Sequence, residues 1–448
     1  MLMKAGWHRF LFFIFAAALG LLLGAAPRPH IVLFVSDDMG WNEVGYHGSK
    51  IATPHIDGLA KEGMQLERFY VHPICSPTRT ALMTGRSPAR FGITGPIGRG
   101  VVPLDEHFLP QTFQKAGYQT FMVGKWHLGE RSDDHTPNAR GFDHFYGCLG
   151  GVIDYYTHRR GRGLDWQRNG KPVIEEGYST DLFAAEAIRL LKNRDQKKPV
   201  FLYVPFNAPH QPAQAPERLL EKYRDRGFFG RGLGRAAAIE AMDAAMGRVL
   251  AVLEAEGMAS NTLVMFFCDN GFGGGGRGSG PKGGAGQLAL RGGKGILLEG
   301  GIRVPAVMRW PGVIQPGTIC SHLISAQDLL PTFAAAAGIK PANQKPLDGV
   351  NCWPAIVENK PMKRPPAIVA GSSGEFAVLH GQWKLTWIQR QVSLYNVKDD
   401  PTESRDVTLD HLETVAKLAD ALAPFNKLKM SNQERGARQG GGRRPSRK

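Results

Sequence analysis

Four short runs of consecutive apolar residues, 31–35, 200–204, 263–267 and 304–308, stand out from a chain whose other apolar positions are mostly spaced for helices. Runs of this length without polar alternation predict strands covered on both faces. Between them, residues 180–192 and 236–256 carry apolar side chains at the spacing of a helix packed on a sheet. Strands alternating with helices predict an α/β architecture with a largely parallel sheet. Three of the runs lead into polar clusters: Ser36-Asp37-Asp38, Asn207-Ala208-Pro209-His210 and Cys268-Asp269-Asn270-Gly271. In open α/β sheets the ligand crevice lies beyond the carboxyl ends of the strands. These clusters are therefore expected at one edge.

A second pattern begins after Pro341, Pro346, Pro354, Pro361, Pro365 and Pro366. Residues 376–379, 383–388 and 392–397 read as short antiparallel strands and 411–422 as a covering helix, together a small α+β unit. At the other end, Lys4 and Arg9 precede an apolar stretch at 10–23 and the small residues Gly24-Ala25-Ala26, the pattern of an export signal. The stretch is short for a membrane span of about 20 residues. Export to the periplasm or the extracellular space is expected, with an uncleaved membrane anchor as the alternative. The resulting division is a signal at 1–26, a main α/β domain at 27–360, an antiparallel-sheet subdomain at 361–426 and a disordered basic tail at 427–448.

Composition narrows the class. With 448 residues, 42% apolar and 21% charged, the chain is globular, which excludes disordered, collagen-like and multi-spanning membrane classes. Its 56 glycines and 30 prolines predict many sharply turned loops. The formal charge of +15 would favour an anionic partner, but the signal carries +2 of it and residues 431–448 carry +5. No specific nucleic-acid partner is expected, and nothing in the sequence sets an oligomeric state. Five cysteines, at 75, 148, 268, 320 and 352, are too few and scattered for a disulfide scaffold or zinc ribbon.

Asp37, Asp38, Asp269 and Asn270 offer hard oxygen donors without a Cys/His cluster, which suits Ca²⁺ or Mg²⁺ better than Zn²⁺. Cys75 precedes Pro77 and Arg79, a fixed cation suited to an anionic ligand. Residues 80–86 are expected to form a helix that turns its N-terminal end to that anion. Lys125 and His127 stand two apart, so an extended backbone directs both to one face. Lys294 sits on a glycine-rich turn, and residues 271–286 read as a mobile loop. If these groups converge with His210, they surround a pocket for a tetrahedral oxyanion ester. Asp154, Tyr155, Tyr156, His158, Arg159 and Arg160 are candidates to read the rest of the substrate.

In chain order these blocks resemble the type I, formylglycine-dependent sulfatases of the alkaline phosphatase superfamily. The resemblance runs from about 29 to 426 through Asp37-Asp38, Thr53-Pro54-His55-Ile56-Asp57, Cys75 to Arg86, Lys125 and His127, and Arg140-Gly141-Phe142-Asp143. It continues through Ala208-Pro209-His210, Asp269-Asn270-Gly271, Lys294, the block from Glu299 to Pro305, and Tyr395-Asn396 to Pro401. The cysteine motif is its most specific part. It implies an alkaline-phosphatase-like sandwich, with a large mixed, mostly parallel sheet between helices and a small C-terminal α+β domain.

The resemblance further implies that a formylglycine-generating or equivalent maturation enzyme oxidises Cys75 to formylglycine. The hydrated aldehyde would attack sulfur, expel the alcohol and then release sulfate by elimination. By similarity Asp37, Asp38, Asp269, Asn270 and the modified Cys75 bind Ca²⁺, with Mg²⁺ second. Arg79 and Lys125 favour the ionised nucleophile and His127 takes the proton during elimination. His210 and Lys294 grip the sulfate, and one of them protonates the departing oxygen. The implied substrate is a sulfate ester, a sulfated glycan ahead of an aryl sulfate. A phosphodiesterase or phosphonate monoester hydrolase using the same nucleophile is one alternative; a non-catalytic polyanion-binding protein on the same scaffold is another. Asn270 stands where related zinc phosphatases carry histidine, and Thr78 where serine is also common.

Overall fold

The computed structural model describes residues 28–97, 102–130, 132–273 and 290–425. The expected signal, the basic tail and the glycine-rich stretch beyond residue 273 lie outside the described residues. Five parallel strands form the centre of a ten-stranded sheet. They are β1 (His30–Ser36), β2 (Gln119–Lys125), β3 (His144–Cys148), β4 (Val200–Pro205) and β5 (Thr262–Cys268). Their spatial order is β5-β1-β4-β2-β3. Ile31 to Val35 pair with Phe201 to Pro205 on one side and with Leu263 to Phe267 on the other. All of these residues are buried, which is why the runs show no polar alternation.

The fourth run supplies β6 (Ala306–Arg309), which lies antiparallel to β5 and makes the sheet mixed. Two groups of helices flank the sheet. One contains α1 (Pro54–Glu62), α3 (Ser179–Lys192) and α4 (Gly230–Ala255); the other contains α2 (Cys75–Thr84) with shorter helices at Leu109–Lys115 and Leu329–Ala336. Among the described residues no helix is long and apolar enough to cross a membrane.

The C-terminal part is a four-stranded antiparallel meander of β7 (Ala367–Ala370), β8 (Phe376–His380), β9 (Trp383–Ile388) and β10 (Gln391–Asn396). Its two faces follow the period of two along a strand. Ile368, Ala370, Phe376 and Val378 pack with Leu418, Leu422 and Phe425, on and just beyond α5 (Leu412–Asp420). Ala367, Val369, Ala377 and Leu379 face Tyr70, Leu297 and Ile302 of the large sheet's domain. On β9, paired with Leu379, Lys384 is fully buried and bonds Glu299 Oε1 at 3.0 Å and Glu403 Oε1 at 2.8 Å. Tyr70 donates to Glu299 Oε2 at 3.0 Å. A buried lysine needs such partners, and here they tie the small sheet to the turn that follows Lys294.

One further tie makes the junction acid-sensitive. The Ala370 N–H donates to His72 Nδ1 at 3.1 Å, and burial pushes the His72 ring down to about 4 from its ordinary 6.5. Between those values the unfolded chain binds the proton and the folded one does not, so stability is full above pH 6.5 and is lost as pH falls through 4. The loss approaches roughly 3 kcal/mol, since one pKa unit corresponds to 1.36 kcal/mol. Denaturant midpoints measured from pH 7 to 4.5 should therefore fall more steeply for the wild type than for His72→Gln, whose side-chain carbonyl still accepts from Ala370. Parallel curves would show that His72 is not the sensitive group.

Candidate active site

The carboxyl ends of β1, β2 and β5 and the N-terminus of α2 meet at one point. The α2 helix starts at Cys75 itself rather than near residue 80 as its sequence suggests. Pro77 falls in its first turn, where an N–H has no partner to lose and the proline φ already suits a helix. Thr78 fixes the entry: its hydroxyl accepts from the His72 N–H at 2.9 Å and donates to the His72 carbonyl at 3.1 Å. Serine could make the same two bonds, so the departure at this position is neutral for the local geometry.

Charges alternate around Cys75. Lys125 Nζ lies 2.5 Å from Asp37 Oδ2, with both side chains fully buried. Arg79 donates through Nε and Nη2 to Asp269 Oδ2, at 3.0 and 2.8 Å, and through Nη1 to the Lys125 carbonyl at 2.6 Å. Lys294 Nζ bonds Asp38 Oδ1 at 2.6 Å and lies 3.4 Å from Cys75 Sγ. His210 Nε2 is 3.7 Å from Asp38 Oδ2. Asn270 Nδ2 donates to Asp38 Oδ1 at 2.8 Å. Ligand atoms of Asp37, Asp38, Cys75 and His210 all lie within 4.8 Å of one another.

His127 reaches this cluster by a different route from the extended segment expected. Lys125 ends β2, and His127 has a left-handed backbone, φ 59°. Its ring packs so closely on Gly151 that a Cβ there would lie 2.5 Å from Cε1 and Nε2. Burial, then the charges of Lys125 and Arg79, depress its pKa well below the ordinary value. The ring is neutral and its buried Nδ1 has no partner.

The other groups respond to the same fields. Burial pushes the Cys75 thiol up to about 12, with Lys125 and Lys294 opposing and Asp37 and Asp269 adding to the rise. Lys294 is raised despite burial, because Cys75, Asp38 and Asp37 stabilise its charge. Burial also works against the Asp37 carboxylate, but Lys125, His210, Lys294 and Arg79 together hold it low. Asp269 is raised by burial and by Asp37.

The donor set fits a hard cation. Asp37 Oδ1 and Asn270 Oδ1 are buried acceptors without a hydrogen-bond partner, an arrangement that normally costs free energy unless something positive faces the atoms. Three carboxylates face Arg79, Lys125 and Lys294, so the residues alone balance. A divalent cation on the orphaned oxygens would give the pocket the positive charge that an anionic ester requires.

The loop after β3 behaves less as a reader than its sequence suggests. Tyr155 is buried, with its hydroxyl 2.9 Å from the Asn207 carbonyl and 2.8 Å from that of His210. Asp154 accepts from the Tyr156 and Thr157 N–H groups and from Gln214. His158 is buried against Trp166. Arg159 and Arg160 are exposed; Arg160 pairs with Glu130 at 2.7 Å, and Arg159 donates to the Arg162 carbonyl at 2.9 Å. Tyr156 remains exposed. Conversely, the buried Arg235 and Glu43, which touch the loop carrying Asp38, belong to no motif in the sequence. A signal existed: Arg235 occupies the same helical stripe as Ile239, Met242 and Met246, where an unpaired charge is costly.

Comparison with known proteins supplies names for this arrangement. A family model described as Sulfatase matches residues 29–339. Mouse arylsulfatase J is 33% identical over 89% of this chain and 76% of its own length. Mouse N-acetylgalactosamine-6-sulfatase is 35% identical over 83% of this chain and 75% of its own. The structure of Ps i-CgsB in complex with k-i-k-neocarrahexaose superposes with a TM-score of 0.81 at 34% identity, covering 89% of this chain and 92% of that one.

Proposed function

From the premise that the chain belongs to the sulfatase family and is a sulfuric ester hydrolase, we propose that it desulfates carbohydrates, using a formylglycine made from Cys75 and a bound Ca²⁺. The observation that carries this reading is the placement of Cys75. It stands at the N-terminus of α2, 3.4 Å from Lys294 Nζ, with ligand atoms of Asp37, Asp38 and His210 within 4.8 Å. Burial raises the pKa of its thiol, so the unmodified side chain has little thiolate to offer, and a formylglycine hydrate would put an oxygen nucleophile at the same point.

Asp37, Asp38, Asp269 and Asn270, with residue 75, would hold the cation, and a set of carboxylate and amide oxygens suits Ca²⁺. When present, the cation polarises the sulfate oxygens and the formylglycine provides a hydroxyl nucleophile. Arg79 and Lys125 place fixed positive charge beside residue 75 and so favour an anionic oxygen there. The neutral, buried His127 accepts a proton from residue 75. Lys294 and His210 face the sulfate from the open side, and one of them passes a proton to the departing alcohol oxygen.

A carbohydrate substrate is supported by the N-acetylgalactosamine-6-sulfatases among the relatives and by the carbohydrate-bound structure, 34% identical, among the neighbours. The pattern at 1–26 supports export. The test is sulfate release from a panel of defined sulfated sugars, an aryl sulfate and a matched phosphate ester. Carbohydrate sulfates are expected to give the highest kcat/KM. Preference for the aryl ester would refute the carbohydrate assignment, and equal phosphate turnover would refute selectivity for sulfate.

A further inference from the structure

The cation site rests on a backbone that does not hold itself. Asp38 has φ 74°, a left-handed conformation in a non-glycine residue, which persists only where the surroundings impose it. Its carbonyl accepts from the Gly273 N–H at 3.0 Å. A second donor to the same carbonyl is Arg235 Nη2. Arg235 comes from α4 and is 197 residues away in sequence.

Its guanidinium is used almost completely. Nη1 donates to the Gly273 carbonyl at 3.0 Å. Nε and Nη2 bond Glu43 Oε1 and Oε2, at 2.6 and 2.5 Å. Glu43 Oε2 also accepts from the Gly40 N–H at 2.6 Å. The flat face of the guanidinium lies 4.5 Å from the centre of the Phe272 ring, and the Phe272 carbonyl accepts the Lys294 N–H at 2.9 Å. One side chain thus touches the loop carrying Asp38, the loop following Asn270 and the residue that anchors Lys294. Both Arg235 and Glu43 are about 3% exposed.

Such a pair is costly to bury and is often no more stabilising than apolar residues of the same volume. Its geometry, by contrast, is hard to replace: a rigid fork grips two carbonyls while a carboxylate fixes the fork. We propose that Arg235, oriented by Glu43, is a positioning residue that sets Asp38 toward the cation and Lys294 by gripping the carbonyls of Asp38 and Gly273. This rests on the reading of Asp38 as a cation ligand.

The experiment is a calcium titration of the chelator-treated full-length protein, followed by melting temperature and by activity, for wild type, Arg235→Lys and Glu43→Gln. Lysine keeps the buried charge but cannot bridge both carbonyls. The calcium concentration at half-maximal thermal shift is expected to rise about 10- to 100-fold in Arg235→Lys and by less in Glu43→Gln. Activity of Arg235→Lys should recover substantially at saturating calcium. If the melting temperature falls while the half-saturating calcium stays at the wild-type value, Arg235 is structural only and the proposal fails. Should Arg235→Lys not fold, the apolar double variant Arg235→Met/Glu43→Leu carries the same expectation. A wild type without any calcium response removes the cation reading instead.

Discussion

Cys75→Ala is expected to lose sulfate release by at least about 10⁴-fold in kcat, the scale on which removal of a catalytic nucleophile is felt, with little change in melting temperature. The two halves of this expectation have different causes. Cys75 is 2% exposed and its sulfur makes one long polar contact, to Lys294; alanine is a good residue for the first turn of α2. The fold therefore tolerates the change. Chemistry does not, because among the described residues the carboxylates beside Cys75 are already engaged, Asp37 by Lys125, Asp269 by Arg79 and Asp38 by Lys294. Cys75→Ser keeps an oxygen in place but cannot eliminate sulfate as an aldehyde hydrate can, so a slow or single-turnover enzyme is expected. In an active wild-type preparation, the tryptic peptide from Phe69 to Arg79 should be lighter than its thiol form by the difference between a CH₂–SH and a CHO group. Full activity with only the thiol peptide present would sink the formylglycine reading, and undiminished activity in Cys75→Ala would sink the assignment of Cys75 altogether.

What could be read in the sequence divides along physical lines. The strands β1, β4 and β5 were legible because burial on both faces leaves an uninterrupted apolar run, and the polar residues that follow each run mark the end of the sheet where ligands bind. Strands β2 and β3 were not read, since Gln119, Thr120 and Gly124 in one and His144 and Gly147 in the other break the run. In β7, four small and branched residues after a proline-rich segment give too short a signal. The sequence places the start of α2 too late because Pro77 reads as a helix breaker unless it lies in the first turn. Asp37, Asp38, His210, Asp269, Asn270 and Lys294 are legible as candidates because each follows an apolar run or lies on a glycine turn, and Cys75 and Arg79 because of their spacing about Pro77. Their supports are not: Arg235 meets Asp38, and Lys384 meets Glu299, across 197 and 85 residues, and only the folded chain brings them together. The same limit explains the loop at 154–160. From sequence alone Tyr155 and His158 look like exposed readers of a sugar, whereas the fold uses them to hold the His210 loop and to cover Trp166.

Lys294 and Lys125 carry the same charge and flank the same cysteine, yet their substitution by methionine should separate activity from stability. Lys294 is about a quarter exposed, and its partner Asp38 keeps the Asn270 amide. Its ammonium is held charged against burial by the carboxylates of Asp38 and Asp37, so it meets the sulfate as a cation throughout the neutral range. Lys294→Met should lower kcat/KM by about 10²–10³-fold, as for loss of a donor to developing charge, weaken inhibition by free sulfate, and leave the melting temperature nearly unchanged. Lys125 is fully buried and bonds Asp37 Oδ2, whose other oxygen already lacks a hydrogen-bond partner. Lys125→Met strands that carboxylate in the interior, a change that typically destabilises by 3–5 kcal/mol, although a bound cation at Asp37 would offset part of it. A comparable loss of activity is therefore expected together with a clear drop in melting temperature, smaller when calcium is added. If Lys294→Met lowered stability as much as Lys125→Met, or left sulfate inhibition intact, Lys294 would belong to the scaffold and another cation would have to grip the ester.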